Sequence, residues 1–141
     1  MRPVAFAKYL TAAALICAGP ATADEMWTSA LGPIIWESTL DDIAVLRLDD
    51  RSNGHVVHLY VPGLASDVMG GRGSYQGYWL ADGGDPVDRC ATQLVAPDGA
   101  KSHYWGQFTI TFVRSEFPSD WAGVAGACFD TPSVALSGEV Q

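Results

Sequence analysis

Apolar and polar residues alternate with a period of two along most of the chain after residue 24, and this period is typical of half-buried β-strands. In segment 103–114, Phe108, Ile110 and Phe112 fall on one apolar face, which we expect to be core. The opposite face carries Trp105 and Gln107 and suits either solvent or the wall of a cavity. No window of this region repeats apolar residues at helical spacing. The pattern indicates strands at 34–40, 43–48, 55–61, 75–81, 90–96, 103–114 and 124–129.

Turn-forming residues separate these strands. Asp41 and Asp42 indicate a tight hairpin, and Ser-Asn-Gly at 52–54 and Pro-Asp-Gly at 97–99 indicate two further turns. We expect a Gly-rich surface loop at 64–74 and a frayed tail after Asp130. Short strands joined in this way bury their apolar faces by closing into a barrel or by pairing as a sandwich. The sequence therefore predicts an all-β domain of about seven strands, either a small antiparallel β-barrel, which we favour, or a β-sandwich.

The first 23 residues are typical of a signal peptide. Arg2 and Lys8 make the start basic, an apolar run follows at 10–18, and Ala21 and Ala23 are the small residues that a signal peptidase reads. The run is shorter than the roughly 20 residues needed to span a membrane. We expect cleavage between Ala23 and Asp24, a single all-β domain over 24–141, no membrane span after cleavage, and a periplasmic or secreted location.

Composition and charge narrow the classes of partner. Of the 141 residues 48% are hydrophobic and 17% are charged, which indicates a chain that folds. The net charge is −8, and it becomes −10 when Arg2 and Lys8 leave with the signal peptide. Nucleic acid is not expected as a partner, since phosphate contacts need Lys and Arg. A cationic protein, such as a secreted lysozyme-like enzyme, suits the charge.

The cysteines indicate one disulfide bond. Cys17 belongs to the signal peptide, so the exported domain keeps Cys90 and Cys128, and an even count in an exported chain predicts a bond between them. The bond would tie the fifth predicted strand to the last one and fasten the seam at which the sheet closes.

Metal and cofactor sites are not expected. His55 and His58 lie three apart on a predicted strand, so they point to opposite faces and cannot share an ion. The acidic loop with Asp82, Asp85 and Asp88 lacks the spacing of a calcium-binding loop. A solvated loop is the favoured interpretation, and a weak calcium site is the alternative.

Motifs for nucleophilic catalysis are absent from the sequence. Hydrolysis by paired carboxylates stays open, with Glu37 or Glu116 able to supply one acid. No feature of the sequence selects the second acid of such a pair. We therefore favour a protein that is not an enzyme.

Aromatic residues are the most suggestive feature. The chain has five Trp, and large rings with a polar tip suit the gripping of an apolar ligand or stacking on sugar rings, although they also fill cores. Trp105 is the leading candidate because it lies opposite the apolar face of its strand. The predicted ligand-binding residues are Trp105, Trp79, Tyr78, Tyr75, His103 and Gln107.

These observations predict an exported, non-catalytic binding module for a small apolar molecule, a glycan or a protein. One alternative is an acidic inhibitor or interaction protein that acts on a cationic envelope or secreted partner. The other is a hydrolase that uses paired carboxylates.

Overall fold

The structure is a computed structural model that describes residues 25–66, 73–114 and 116–141. The predicted signal peptide and its cleavage site lie outside the described residues, and among those described no helix is long and apolar enough to cross a membrane. Two short 3₁₀ turns span Leu64–Ser66 and Pro86–Asp88. The strands are β1 (Met26–Thr28), β2 (Pro33–Leu40), β3 (Ile43–Asp49), β4 (Val56–Pro62), β5 (Gly73–Ala81), β6 (Leu94–Val95), β7 (Lys101–Ser102), β8 (Trp105–Phe112), β9 (Trp121–Ala125) and β10 (Val134–Val140).

Eight of these strands form a closed antiparallel barrel in the order β1-β10-β9-β8-β5-β4-β3-β2. The prediction of a small antiparallel barrel is therefore confirmed. The barrel closes through β1, in which Trp27 pairs with Val140 of β10 on one side and with Ile34 of β2 on the other. Closure gives every strand two neighbours and leaves the sheet without an open edge.

The prediction of a frayed tail after Asp130 is wrong, because β10 is a full member of the barrel. The strand predicted at 124–129 is also misplaced, since β9 spans Trp121–Ala125 and β10 follows it. The tail is ordered because β10 bonds to β1, about a hundred residues earlier in the chain. Of the loop expected at 64–74, residues 64–66 form the turn Leu64–Ser66, Gly73 already belongs to β5, and residues 67–72 lie outside the described residues.

A separate hairpin of β6 and β7 lies against the outside of the barrel wall. The strand predicted at 90–96 is wrong beyond Leu94–Val95, but the turn at 97–99 is confirmed, with the Gly99 N–H donating to the Ala96 carbonyl at 2.9 Å. The Cys90–Cys128 disulfide is present and fastens this hairpin to the loop after β9. The expectation that the bond fastens the closing seam is wrong, because the seam is formed by β1 and β10.

Apolar side chains form two clusters, one on each face of the same sheet. The barrel core lies inside and contains Leu46, Leu59 and Phe108 among its buried members. The outer cluster lies beneath the hairpin and contains Val45 and Trp105. Successive residues of a strand point to opposite faces, so β3, β4, β5 and β8 need apolar residues on both.

Candidate functional site

The interior of the barrel contains a cavity of about 530 Å³ at the end where β3, β5 and β9 finish. Its wall is formed by inward-pointing side chains of six strands, and those side chains are almost all apolar. Side chains from strands far apart in sequence meet here because the barrel is closed. The strand residues of the wall are Leu48, Val57, Leu59, Trp79, Ala81, Phe108, Ala125, Val134 and Leu136.

Aromatic rings fill the opposite end of the barrel. Trp27 lies 6.4 Å from Phe112 between ring centroids, and Phe117 lies 5.6 Å from Phe112 and 5.9 Å from Trp36. The Trp27 indole N–H donates to the Ser119 carbonyl at 2.9 Å and holds the loop before β9 over this end. None of these residues lines the cavity, so the interior is packed at one end and hollow at the other.

Polar residues of three loops surround the opening of the cavity, which we call the mouth. The mouth residues are Asp50, Asn53, His55, Gly83, Gly84, Asp85, Asp88 and Tyr104. His55 Nδ1 lies 3.0 Å from Asp82 Oδ1, and this contact joins the loop before β4 to the loop after β5. The backbone at Gly83 and Gly84 packs closely against two rings. A Cβ on Gly83 would lie 2.9 Å from the His55 ring, and a Cβ on Gly84 would lie 2.7 Å from the Tyr104 ring. A larger residue at either position would require the facing ring to move, so the two glycines shape the mouth.

Trp79 is the predicted binding residue that lines the cavity. Its ring is half-buried on the inner face of β5, and its indole N–H donates to the Gly126 carbonyl at 3.0 Å. A side chain on the neighbouring Gly106 would come within 2.6 Å of the Trp79 nitrogen, so glycine at that position makes room for the indole. Trp79 therefore presents a fixed aromatic surface to the interior.

Trp105, Tyr78 and Gln107 lie on the other side of the barrel wall. Trp105 is only 4% exposed, because its indole N–H donates to the Thr92 carbonyl at 2.7 Å and the edge of Phe129 packs on it. These three residues line an outer groove of about 450 Å³ beside the hairpin, together with Gln76. Tyr78 and Trp79, which are neighbours on β5, thus line the outer groove and the cavity respectively.

Tyr78 takes part in the packing of this outer face. Its ring stacks on Tyr60 with centroids 5.1 Å apart, and the Tyr60 hydroxyl donates to Asp98 of the hairpin turn at 2.9 Å. Burial raises the pKa of both tyrosines above the ordinary value, and the hydrogen bond to Asp98 raises the pKa of Tyr60 further. The contact fastens the hairpin to β4.

Tyr75 and His103 line neither concavity. Tyr75 points inward at the packed end, where its ring lies 6.0 Å from Phe112. His103 Nδ1 lies 3.1 Å from the Cys90 carbonyl oxygen, beside the disulfide. The structure therefore divides the six predicted binding residues among the cavity, the outer groove, the aromatic end and the hairpin.

The acids considered for hydrolysis do not line the cavity either. Glu37 lies on the outer wall, 2.8 Å from His58 Nε2 and 3.6 Å from Arg47. Glu116 is exposed in the loop before β9. Among the described residues no group of three or more His, Cys, Asp or Glu is arranged to hold a metal ion.

The cavity can bind an apolar ligand by burying its surface against the wall, and polar groups lie only around the mouth. Known proteins offer no parallel, as no family model, no curated protein and no solved structure matches this chain.

Several residues of the cavity were missed by sequence reasoning. Leu136 lies in the segment expected to be frayed, although Val134 and Leu136 continue the period of two, and this signal was available in the sequence. Tyr104 continues the period of two that Phe108 and Ile110 follow, whereas Asp50 carries no such signal, because the mouth is assembled from loops distant in sequence.

Proposed function

We propose that this protein is a non-catalytic binding protein that holds a small apolar molecule inside its barrel. The observation that carries the proposal is the cavity of about 530 Å³ with a wall of aliphatic and aromatic side chains. Ligand sites in proteins typically have volumes of about 300–1,000 Å³ and apolar walls. A barrel of eight strands is just wide enough either to be filled by its own side chains or to hold one small ligand.

The cavity suits an apolar molecule better than a glycan. Leu59 and Phe108 in its wall are buried and offer no hydrogen-bonding side chain, whereas a sugar needs polar partners for its hydroxyl groups. Stacking on a sugar also needs an accessible aromatic face, and Trp105 is covered by Phe129 and the hairpin. Burial of each CH₂ group contributes about 0.8 kcal/mol, so an alkyl or aryl group gains affinity in proportion to its size.

The proposal includes export to an oxidising compartment. Cys90 and Cys128 form a disulfide bond, and such bonds persist in the periplasm and outside the cell but are rare in the cytosol. A basic start, a short apolar run and small residues before Asp24 support the same location.

Indole N–H signals in the nuclear magnetic resonance spectrum test the location of the ligand. The Trp79 and Trp105 indoles each donate to a backbone carbonyl, one on the cavity side of the wall and one on the outer side. The signals are assigned with the variants Trp79→Phe and Trp105→Phe. The titrant is N-phenyl-1-naphthylamine, a neutral apolar dye whose fluorescence rises in apolar surroundings.

We expect saturable binding of one dye molecule and a shift of the Trp79 signal, while the Trp105 signal keeps its position. A shift of the Trp105 signal alone would place the ligand in the outer groove and contradict the proposal. Absence of saturable binding would contradict it as well.

A further inference from the structure

The ionisable groups around the cavity are mostly acidic. Asp50, Asp85 and Asp88 line it, and no Lys or Arg lines it within the ranges 25–66, 73–114 and 116–141. His55 is the basic group at the mouth, and its ring nitrogen contacts Asp82, so any positive charge on His55 is balanced by that carboxylate. A ligand in the cavity therefore meets an excess of negative charge where the wall ends.

Asp50 is the most buried of these acids. The residue is 8% exposed and lies directly after β3, two positions beyond Leu48 of the cavity wall. Its Oδ1 accepts hydrogen bonds from the backbone N–H and the hydroxyl of Ser52, whereas its Oδ2 has no hydrogen-bond partner among the described residues. No Lys or Arg of the described residues pairs with Asp50, and its free Oδ2 is not a buried atom, so this oxygen is available to a cationic group at the mouth.

Asp85 and Asp88 add two more carboxylates without ion pairs in the described part of the chain. Asp85 Oδ1 accepts from the Val87 N–H at 3.0 Å and caps the turn Pro86–Asp88, and the Asp88 side chain has no partner there. Carboxylates around an apolar cleft focus the electric field and attract cations. Tyr104 and Trp79 also line the cavity, and aromatic rings attract cations.

We infer that the cavity ligand is an amphiphilic organic cation. Its apolar body would lie inside the barrel, and its protonated amine or quaternary ammonium group would lie at the mouth between Asp50, Asp85 and Asp88. The inference rests on the proposed function, because it gives the chemical class of the molecule that the cavity binds. An anion with the same apolar body would be repelled by the same three groups.

Three compounds with one ten-carbon chain separate charge from burial: decyltrimethylammonium, 1-decanol and decyl sulfate. Each competes with N-phenyl-1-naphthylamine at low ionic strength, and the released dye is measured by fluorescence. We expect the cation to bind about tenfold more tightly than the alcohol. Close pairing of its charge with carboxylates in a partly buried site strengthens binding by about that factor. The sulfate should bind more weakly than the alcohol, and salt at about 0.5 M should reduce both differences because it screens the exposed charges.

Variants identify the carboxylates. Asp50→Asn keeps the oxygen that accepts from Ser52 and should weaken binding of the cation about threefold or more, with a smaller effect on the alcohol. Asp88 is exposed and its side chain has no partner among the described residues, so Asp88→Asn should leave the fold unchanged and weaken binding of the cation about threefold. This variant replaces Asp50→Asn in the test if Asp50→Asn does not fold. Glu139→Gln changes the net charge equally at the packed end of the barrel and is the matched control.

The outcomes are distinguishable. Equal affinity for cation and alcohol, or a loss caused equally by Glu139→Gln and Asp88→Asn, would overturn the inference and leave the proposed function in place. Failure of the dye to bind would overturn both.

Discussion

Filling the cavity should stabilise the protein and weaken ligand binding at the same time. Ala125 is the position for this test, because it lies on β9, lines the cavity and faces Phe108 of β8 and Val134 of β10. The change is Ala125→Leu, which adds three carbon atoms pointing into the hollow end of the barrel. Ala122→Leu is the matched control, since Ala122 lies on the same strand but is exposed on the outer face.

The expected gain follows from burial. Three added carbon atoms contribute about 2.4 kcal/mol at about 0.8 kcal/mol each. Ordering the leucine side chain costs about 0.5–1 kcal/mol, so the free energy of unfolding should rise by about 1.5 kcal/mol. For a domain of this size that corresponds to an increase in Tm of about 5 °C. Ala122→Leu should change stability by less than about 0.5 kcal/mol, as exposed substitutions usually do.

Urea unfolding followed by tryptophan fluorescence measures the stability, since Trp27 and Trp121 are fully buried in the barrel core. The dye titration measures binding, and we expect the affinity of Ala125→Leu for N-phenyl-1-naphthylamine to fall at least about tenfold, as a filled cavity forfeits the burial of two or more CH₂ groups. Overpacking costs about 1–3 kcal/mol, so a loss of stability in that range would show that the space beside Ala125 is already filled. Higher stability with unchanged dye affinity would show that the dye binds elsewhere.

Three further predictions concern the disulfide, the buried tyrosine and export. Replacing Cys90 and Cys128 together by Ala should lower the free energy of unfolding by up to about 4 kcal/mol, because the bond closes a loop over a sequence separation of 38 residues; an unchanged urea midpoint would contradict this. The folded-state pKa of Tyr60 lies above its unfolded value of about 10, so the stability that Tyr60 contributes is complete below pH 10 and is lost as the pH rises further. The urea midpoint should therefore fall less between pH 8 and 11 in Tyr60→Phe than in the unchanged protein. Equal falls in the two proteins would refute this assignment. N-terminal sequencing of the protein from a secreting host should begin at Asp24, and retention of Met1 would argue against cleavage.

The strands that form hairpins with their neighbours in sequence were predictable. β2 and β3 are joined at Asp41 and Asp42, and Asp41 has a φ of 52°, a left-handed conformation that short polar residues tolerate. Their alternation of apolar and polar positions and the turn between them are local properties. The fold class and the disulfide followed from such local features and from a count of cysteines.

The face of β8 that carries Phe108, Ile110 and Phe112 was correctly predicted to be core, but the surroundings of Trp105 on the opposite face were not predictable. Trp79 and Trp105 lie on neighbouring strands that are apolar on both faces, and alternation fixes only that residues one position apart point in opposite directions. Whether the outer face is exposed or buried depends on what covers it, and the β6–β7 hairpin covers Trp105. The best single candidate from the sequence is therefore buried under that hairpin, and the residue that lines the cavity is Trp79.

By itself, the amino-acid sequence determined an antiparallel β domain with one disulfide, because period-two patterns, turn residues and cysteine parity are properties of short segments. The tertiary structure alone decided that Val134–Val140 closes the barrel against Met26–Thr28, since that pairing joins the two ends of the domain. It also decided that the interior is filled at one end and hollow at the other. The volume left over depends on the sizes of inward side chains from six strands, and those side chains become neighbours only when the sheet closes.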